Sequence, residues 1–307
     1  MKAETNLERI LKKGQFAVIG ELAPPRGNDV AALRRKADLL RGVVDAIHVP
    51  DNPSAVVCLS SLAGSMLLLQ TGFEPVMEMA ARDRNRIALQ SDLFGATALG
   101  IRNIFCLSGD HPSLGNQVES KNVYDLDAVQ LIGCIENLRN HRTLLGGEEK
   151  AEGQFDLWMG ALVNPFGDPL ELHVMHLAKK VRAGAHFVQT LPIFDMDRFE
   201  AWWNLVQDKG LHEKVHILAG IAPLKSVETV PLIERALRGV SIPKHLIDRM
   251  SKSNDPEREG IKIAVEQIQK LRKINGIHGV CLNVGDREEM ARPIAEEAGL
   301  LPRPKAE

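Results

Sequence analysis

The chain has 307 residues, 44% of them hydrophobic, which is enough for one large α/β barrel or two ordinary domains. Its 38 basic and 40 acidic residues nearly cancel and aromatic residues make up only 4%, so neither a polyanion-binding surface nor a base-stacking platform for nucleic acid is expected. The N-terminus "MKAETNLERILKKG" lacks the apolar centre of a signal peptide, no run is long and apolar enough for membrane insertion, and Cys58, Cys106, Cys134 and Cys281 form no CxxC pair. A cytoplasmic protein with buried thiols and no zinc or iron–sulfur site of its own is expected.

In chain order, a short amphipathic N-terminal helix precedes the first apolar run, at 15–21, and "GELAPPRG" (20–27) follows it. Two prolines so close behind a strand stop its ladder, which leaves Glu21 at the strand's C-terminal end. Further strands are read at 43–49, 75–80, 102–107, 156–163, 186–191, 214–219 and 277–282. Helical patterns lie between them, among them "DVAALRRKADLLRG", "RDRNRIALQSDLFGATALG", "LDAVQLIGCIENLRN", "PLELHVMHLAKKVRAGA" and "DPEREGIKIAVEQIQKLRKING". Eight alternating units predict a single-domain (β/α)8 TIM-type barrel over 1–307 rather than an open sheet, and neither GxGxxG after the first strand nor GxxxxGK[ST] is present. "GGEEKAEGQ" (146–154) reads as a charged surface loop, and "MSKSNDPEREG" (250–260) as a surface helix boundary. Phe194, Phe199, Trp202 and Trp203 read as core or lid support, and Arg82, Asp83, Arg84 and Arg86 as a surface ion network or a helix start without a catalytic role.

In such a barrel the strand C-termini converge on one mouth, where the chemistry of the fold is usually built. The polar residues there are Glu21, His48, Asp51, Asn52, Glu78, Ser108, Gly109, Asp110, His111, Asn164, Gln189, Thr190, Lys225, Ser226 and Asn283. In "CLSGDHPSLG" (106–115), small Ser108 and Gly109 allow backbone to approach a flat ligand, and Asp110 offers a fixed charge or acceptor. An Asp-capped turn would account for the same residues.

With these junctions in hand, the chain resembles the methylenetetrahydrofolate reductase family of flavin-dependent barrels from about residue 7 to 298. The anchors are "GELAPPRG", "NIFCLSGD", "VYDLDAVQLI", "KKVRAGAHFVQTLPIFD" and "GIAPL". The stretch 82–103 is most similar to a short bacterial form from acetogen-type one-carbon pathways, in which the flavin subunit pairs with an iron–sulfur, zinc-containing subunit. The resemblance implies Glu21 as general acid and Asp110 as a second catalytic residue. It also implies flavin contacts at Glu78, Ser108, Gly109, Asp110, Tyr124, Asn164, His176 and Lys180, and substrate contacts at Glu21, Asp110 and Gln189. The family's better-known members carry His where this chain has Glu78 and Asp where it has His173, which leaves FAD and FMN both open as the cofactor. Their substrate-contacting glutamine falls on Leu191; Gln189 lies two residues earlier, on the same strand face. "LNVGDR" replaces the usual "LNR" continuation after strand eight.

The expected reaction is reduction of methylenetetrahydrofolate to methyltetrahydrofolate, with NADH or another electron donor. Flanked by Ile19, Leu22 and Ala23, the Glu21 carboxyl is expected to be partly desolvated, which favours the proton-donating form. Two alternatives stay open: a flavoprotein subunit active only with an iron–sulfur/zinc partner, or a non-flavin barrel lyase or hydrolase using Glu21 and Asp110 as acid and base. No metal site is expected, although His173 and His176 stand i, i+3 on one helix; a homo-oligomer is an open expectation.

Overall fold

The computed structural model describes residues 3–147 and 149–304. Its eight strands are β1 (Ala17–Glu21), β2 (Ala46–Val49), β3 (Pro75–Ala80), β4 (Asn103–Leu107), β5 (Trp158–Val163), β6 (Phe187–Pro192), β7 (His216–Ile221) and β8 (Ile277–Leu282). They pair in parallel, each with its sequence neighbour, and β1 pairs β8 to close the barrel. The described helices are α1 (Asn6–Lys12), α2 (Val30–Leu39), α3 (Ser61–Gln70), α4 (Arg86–Ala98), α5 (Ala128–His141), α6 (Leu170–Ala183), α7 (Met196–Asp208), α8 (Val230–Ala236), α9 (Lys244–Lys252), α10 (Pro256–Leu271) and α11 (Ala291–Glu297). The predicted single-domain TIM-type barrel is the fold.

The strand read at 43–49 begins only at Ala46. Its first residues belong to the turn after α2, the Val43 and Val44 N–H groups bonding back to the Leu40 carbonyl, while the Asp45 carboxylate accepts the Val18 N–H (2.7 Å) and pairs with Arg303 (2.6 Å). The Phe194, Phe199, Trp202 and Trp203 side chains are buried in the core, at 0–3% exposure. The described residues of 146–154 form an exposed loop, Glu148 lying outside them, and 250–260 holds the break between α9 and α10. Arg82 departs from the surface reading: it is 3% exposed.

Alternation along the strands sends Ile19, Val76, Phe105, Phe187, Leu218 and Cys281 into the barrel interior, where they form one apolar cluster with Leu7, Ile10 and Leu11 of α1. The N-terminal helix is therefore a plug on the barrel floor. Glu74 fixes it, accepting the N–H groups of Asn6 and Leu7, which have no intrahelical partner. The opposite end, left unplugged, is the mouth.

Candidate functional site

Glu21 ends β1, and its half-buried side chain accepts a hydrogen bond from Asn283 Nδ2 (2.9 Å), just past β8. Burial raises its pKa above the ordinary glutamate value; nearby His48 opposes the rise and Glu78 adds to it. Beside it are three further polar side chains, His48 on β2, Glu78 on β3 and Gln189 on β6, at 2%, 7% and 6% exposure. His48 Nε2 lies 3.0 Å from Glu78 Oε2, and its Nδ1 lies 3.3 Å from Gln189 Oε1. The second Glu78 oxygen accepts the Asp51 N–H at 3.0 Å. Glu78, expected as a cofactor contact, thus has both oxygens engaged by the protein.

The end of β4 supplies a different surface. Ser108 Oγ accepts the N–H of Ala128, the first residue of α5, at 3.1 Å. That helix starts here because Asp127 and Gln130 form a reciprocal capping box. Gly109 has φ +91°, and a Cβ on it would stand 2.9 Å from Arg82 Cβ, so glycine is required here by its own backbone and by the packing of Arg82. Arg82 donates to the Asp110 carbonyl (3.1 Å) and holds the exposed Asp110 loop from below. Tyr124 OH donates to the Gly109 carbonyl (3.1 Å).

Two adjoining cavities open at this end. One, about 340 Å³, is lined by Ser108, Gly109, Leu107, Leu177, His176 and Lys180 among others. The other, about 360 Å³, contains Glu21, His48, Gln189, Leu191 and Asn283. Glu78, Asp110 and Asn164 line both. The residues expected in catalytic, cofactor or substrate contact all line these cavities except Tyr124, which instead braces Gly109; of the other polar residues expected at the mouth, His111, Lys225 and Ser226 line neither cavity. Asn164 spends its amide N–H on the Arg238 carbonyl and its oxygen on the Phe166 N–H. The Lys180 amine donates to the Leu162 carbonyl, and burial lowers its pKa to about 8. A smaller recess, about 200 Å³, carries Lys179, Lys180 and His176 to the N-terminus of α5.

These surfaces fit a flavin. Ser108 and Gly109 line the slot, and the recess holds Lys179 and Lys180 beside the Asp127 cap of α5, two cations that would serve as point-charge partners for a phosphate. The His173 and His176 rings stand 6.1 Å apart edge to face, and among the described residues no group of three His, Cys, Asp or Glu side chains is placed to hold a metal.

Sequence reasoning missed the bracing. Asp51, 1% exposed, accepts the Ala80 N–H and pairs with Arg84 at 2.6 Å; together with Arg82 this fixes the loop beyond β3. The signal available was position: "ARDR" (81–84) follows directly on a strand whose C-terminus faces the mouth.

The Methylenetetrahydrofolate reductase family model matches residues 6–299. Methylenetetrahydrofolate reductase 1 of Schizosaccharomyces pombe is 28% identical over 247 residues, 78% of this chain and 38% of that protein. A probable methylenetetrahydrofolate reductase (NADPH) of Caenorhabditis elegans is 27% identical over 259 residues, 82% of this chain and 36% of that protein. The chain therefore spans a little over a third of the length of these relatives. In fold it is similar to a Clostridium thermocellum protein that binds two copies of 5-methyl-5,6,7,8-tetrahydrofolic acid, with TM-score 0.65, 12% identity and coverage of 97% of this chain and 99% of that one. No helix of the described residues is long and apolar enough to cross a membrane. With its family profile matched almost end to end, the chain belongs to the methylenetetrahydrofolate reductase family.

Proposed function

We propose that the chain reduces methylenetetrahydrofolate to methyltetrahydrofolate, with a flavin in the Ser108–Gly109–Lys180 slot and the pterin in the adjoining cavity beside Glu21. The observation that carries this reading is the position of Glu21: a half-buried carboxyl of raised pKa opening on the cavity that shares Glu78, Asp110 and Asn164 with the slot. A flavin bound there supplies the hydride that turns the one-carbon unit into a methyl group.

The chain's residues do the rest. Glu21, in its protonated form, gives its proton to the bridging amine of the substrate, so the ring opens to a cationic carbon able to accept hydride. Positioned acids of this kind contribute ~10²–10⁴ in rate. The Asn283 amide holds the carboxyl in place. Asp110, on its Arg82-braced loop, puts a carboxylate on the border of both cavities, where it favours the developing positive charge. Gln189 offers its amide to the pterin, and Lys180 with Lys179 balances the flavin phosphate. The similar Clostridium thermocellum protein, which binds a tetrahydrofolate, supports the substrate class.

The test is anaerobic mixing of the flavin-loaded, reduced protein with methylenetetrahydrofolate. The flavin's yellow absorbance returns as methyltetrahydrofolate forms; a protein that cannot be loaded with flavin, or one whose reduced flavin is not reoxidised by the folate, overturns the reading. Chromatography of the released chromophore decides between FAD and FMN. Turnover with NADH alone identifies a complete enzyme, and turnover only with a low-potential dye or an iron–sulfur partner identifies a flavoprotein subunit.

A further inference from the structure

Both ring nitrogens of His48 face oxygen. Nε2 meets a Glu78 oxygen at 3.0 Å and Nδ1 meets the Gln189 amide oxygen at 3.3 Å, in a site where His48 is 2% exposed. A neutral imidazole carries a single N–H and can serve only one of these acceptors. Two arrangements would satisfy both contacts. In the first, an imidazolium donates to Glu78 and to the Gln189 carbonyl, and the Gln189 NH2 is shared between the Cys281 sulfur and the cavity. In the second, a neutral ring keeps its Nε2 proton, Nδ1 accepts from the Gln189 NH2, and the amide carbonyl faces the cavity. The structure has the amide in the first orientation.

We propose that His48 is a positioning residue for Gln189: as a doubly protonated ring it holds the amide with its NH2 toward the ligand, so one buried proton sets the polarity of that contact. The surroundings favour the charged ring. Glu21 faces it from β1 and Glu78 from β3, both carboxyls; Phe105 on β4 tilts over it at 4.6 Å between ring centres. From β6 comes neutral Gln189, and from β8 the Cys281 thiol, which hydrogen-bonds the Gln189 amide and whose pKa burial pushes up so that it adds no charge. Burial alone would lower the pKa of His48, but the hydrogen bond and charge of Glu78 lead the causes that turn the shift upward. Glu78 is held in turn by the Asp51 N–H, and Asp51 by Arg84, so the ring has a fixed support.

The ligand side of this inference rests on Gln189 touching the pterin; the protonation side does not. Nitrogen-15 NMR of the native chain at pH 7 is expected to show protons on both ring nitrogens of His48, and an unprotonated Nδ1 overturns the proposal. A mutant cycle reads the coupling through the dissociation constant for methyltetrahydrofolate. His48→Leu and Gln189→Leu are each expected to weaken binding by about tenfold, with the double variant no weaker than either single one. Losses that multiply in the double variant overturn the proposal. His48→Asn, which keeps a donor near the Nδ1 position, recovers most of the affinity if positioning is the role. A native chain that binds no tetrahydrofolate refutes the proposed function instead, and the NMR result then decides the histidine alone.

Discussion

The two ends of the barrel bury the same residue type and treat it oppositely. At the mouth, His48 has a raised pKa, the hydrogen bond and charge of Glu78 leading the causes that outweigh its burial. At the floor, burial lowers His186 to about 3 and His216 to about 4, and cationic or histidine neighbours push the same way: Arg139 and Lys12 for the first, His278 and Lys12 for the second. These floor rings are packing pieces. His186 stacks on Trp158 at 4.2 Å, His216 meets His278 edge to face at 4.9 Å, and Lys12 of α1 lies over Trp158. The carboxyls differ as well. Glu74 at the floor spends its oxygens on Asn6, Leu7 and Asn103, whereas Glu21 at the mouth has Asn283 and an open cavity. A buried ionisable group serves chemistry where its partners leave an atom free, and serves the fold where they do not.

The largest expected effect falls on the mouth. Glu21→Gln should retain flavin and folate while losing ~10²–10⁴ in turnover, read by anaerobic stopped flow, with little change in melting temperature. Leu7→Ala, at the floor, should do the reverse. Its fully buried side chain closes the plug, so stability should fall by ~2–5 kcal/mol in denaturant titration, while activity per folded molecule is kept. Equal activity losses in these two variants would erase the distinction between the two ends.

Gly109→Ala sharpens the mouth's other half. A side chain at φ +91° costs roughly 1–2 kcal/mol from backbone strain alone, and the added Cβ crowds Arg82. Weaker flavin retention on gel filtration is expected. The smallest effect near neutrality belongs to the floor histidines. Their folded pKa values are depressed below 6.5, so on acidification the unfolded chain takes up protons first. Their contribution to stability is complete above about pH 6.5 and declines as pH falls toward 3. Replacing His216 with Phe should flatten that decline in melting temperature between pH 6.5 and 4.

The fold was legible because alternation and turn chemistry act locally: "ELAPPR" stops β1 at Glu21, and the "LDAVQ" stretch caps α5 beside Ser108. Gathering Glu21, Asp110 and Gln189 at one mouth followed from strand direction alone. What stayed hidden was pairing between distant strands. The Glu78–His48–Gln189 chain joins residues 30 and 141 positions apart, and periodicity carries no record of who faces whom across a barrel. Arg82 was misplaced for a related reason: a charged run reads as solvated until the loop that covers it is known.

The central claim, that the mouth holds Glu21 as a proton donor, is tested most directly by carbon-13 NMR titration of its carboxyl in the folded chain, assigned with Glu21→Gln. A midpoint above the ordinary value of 4.5 is predicted, and a midpoint at or below that value would contradict it.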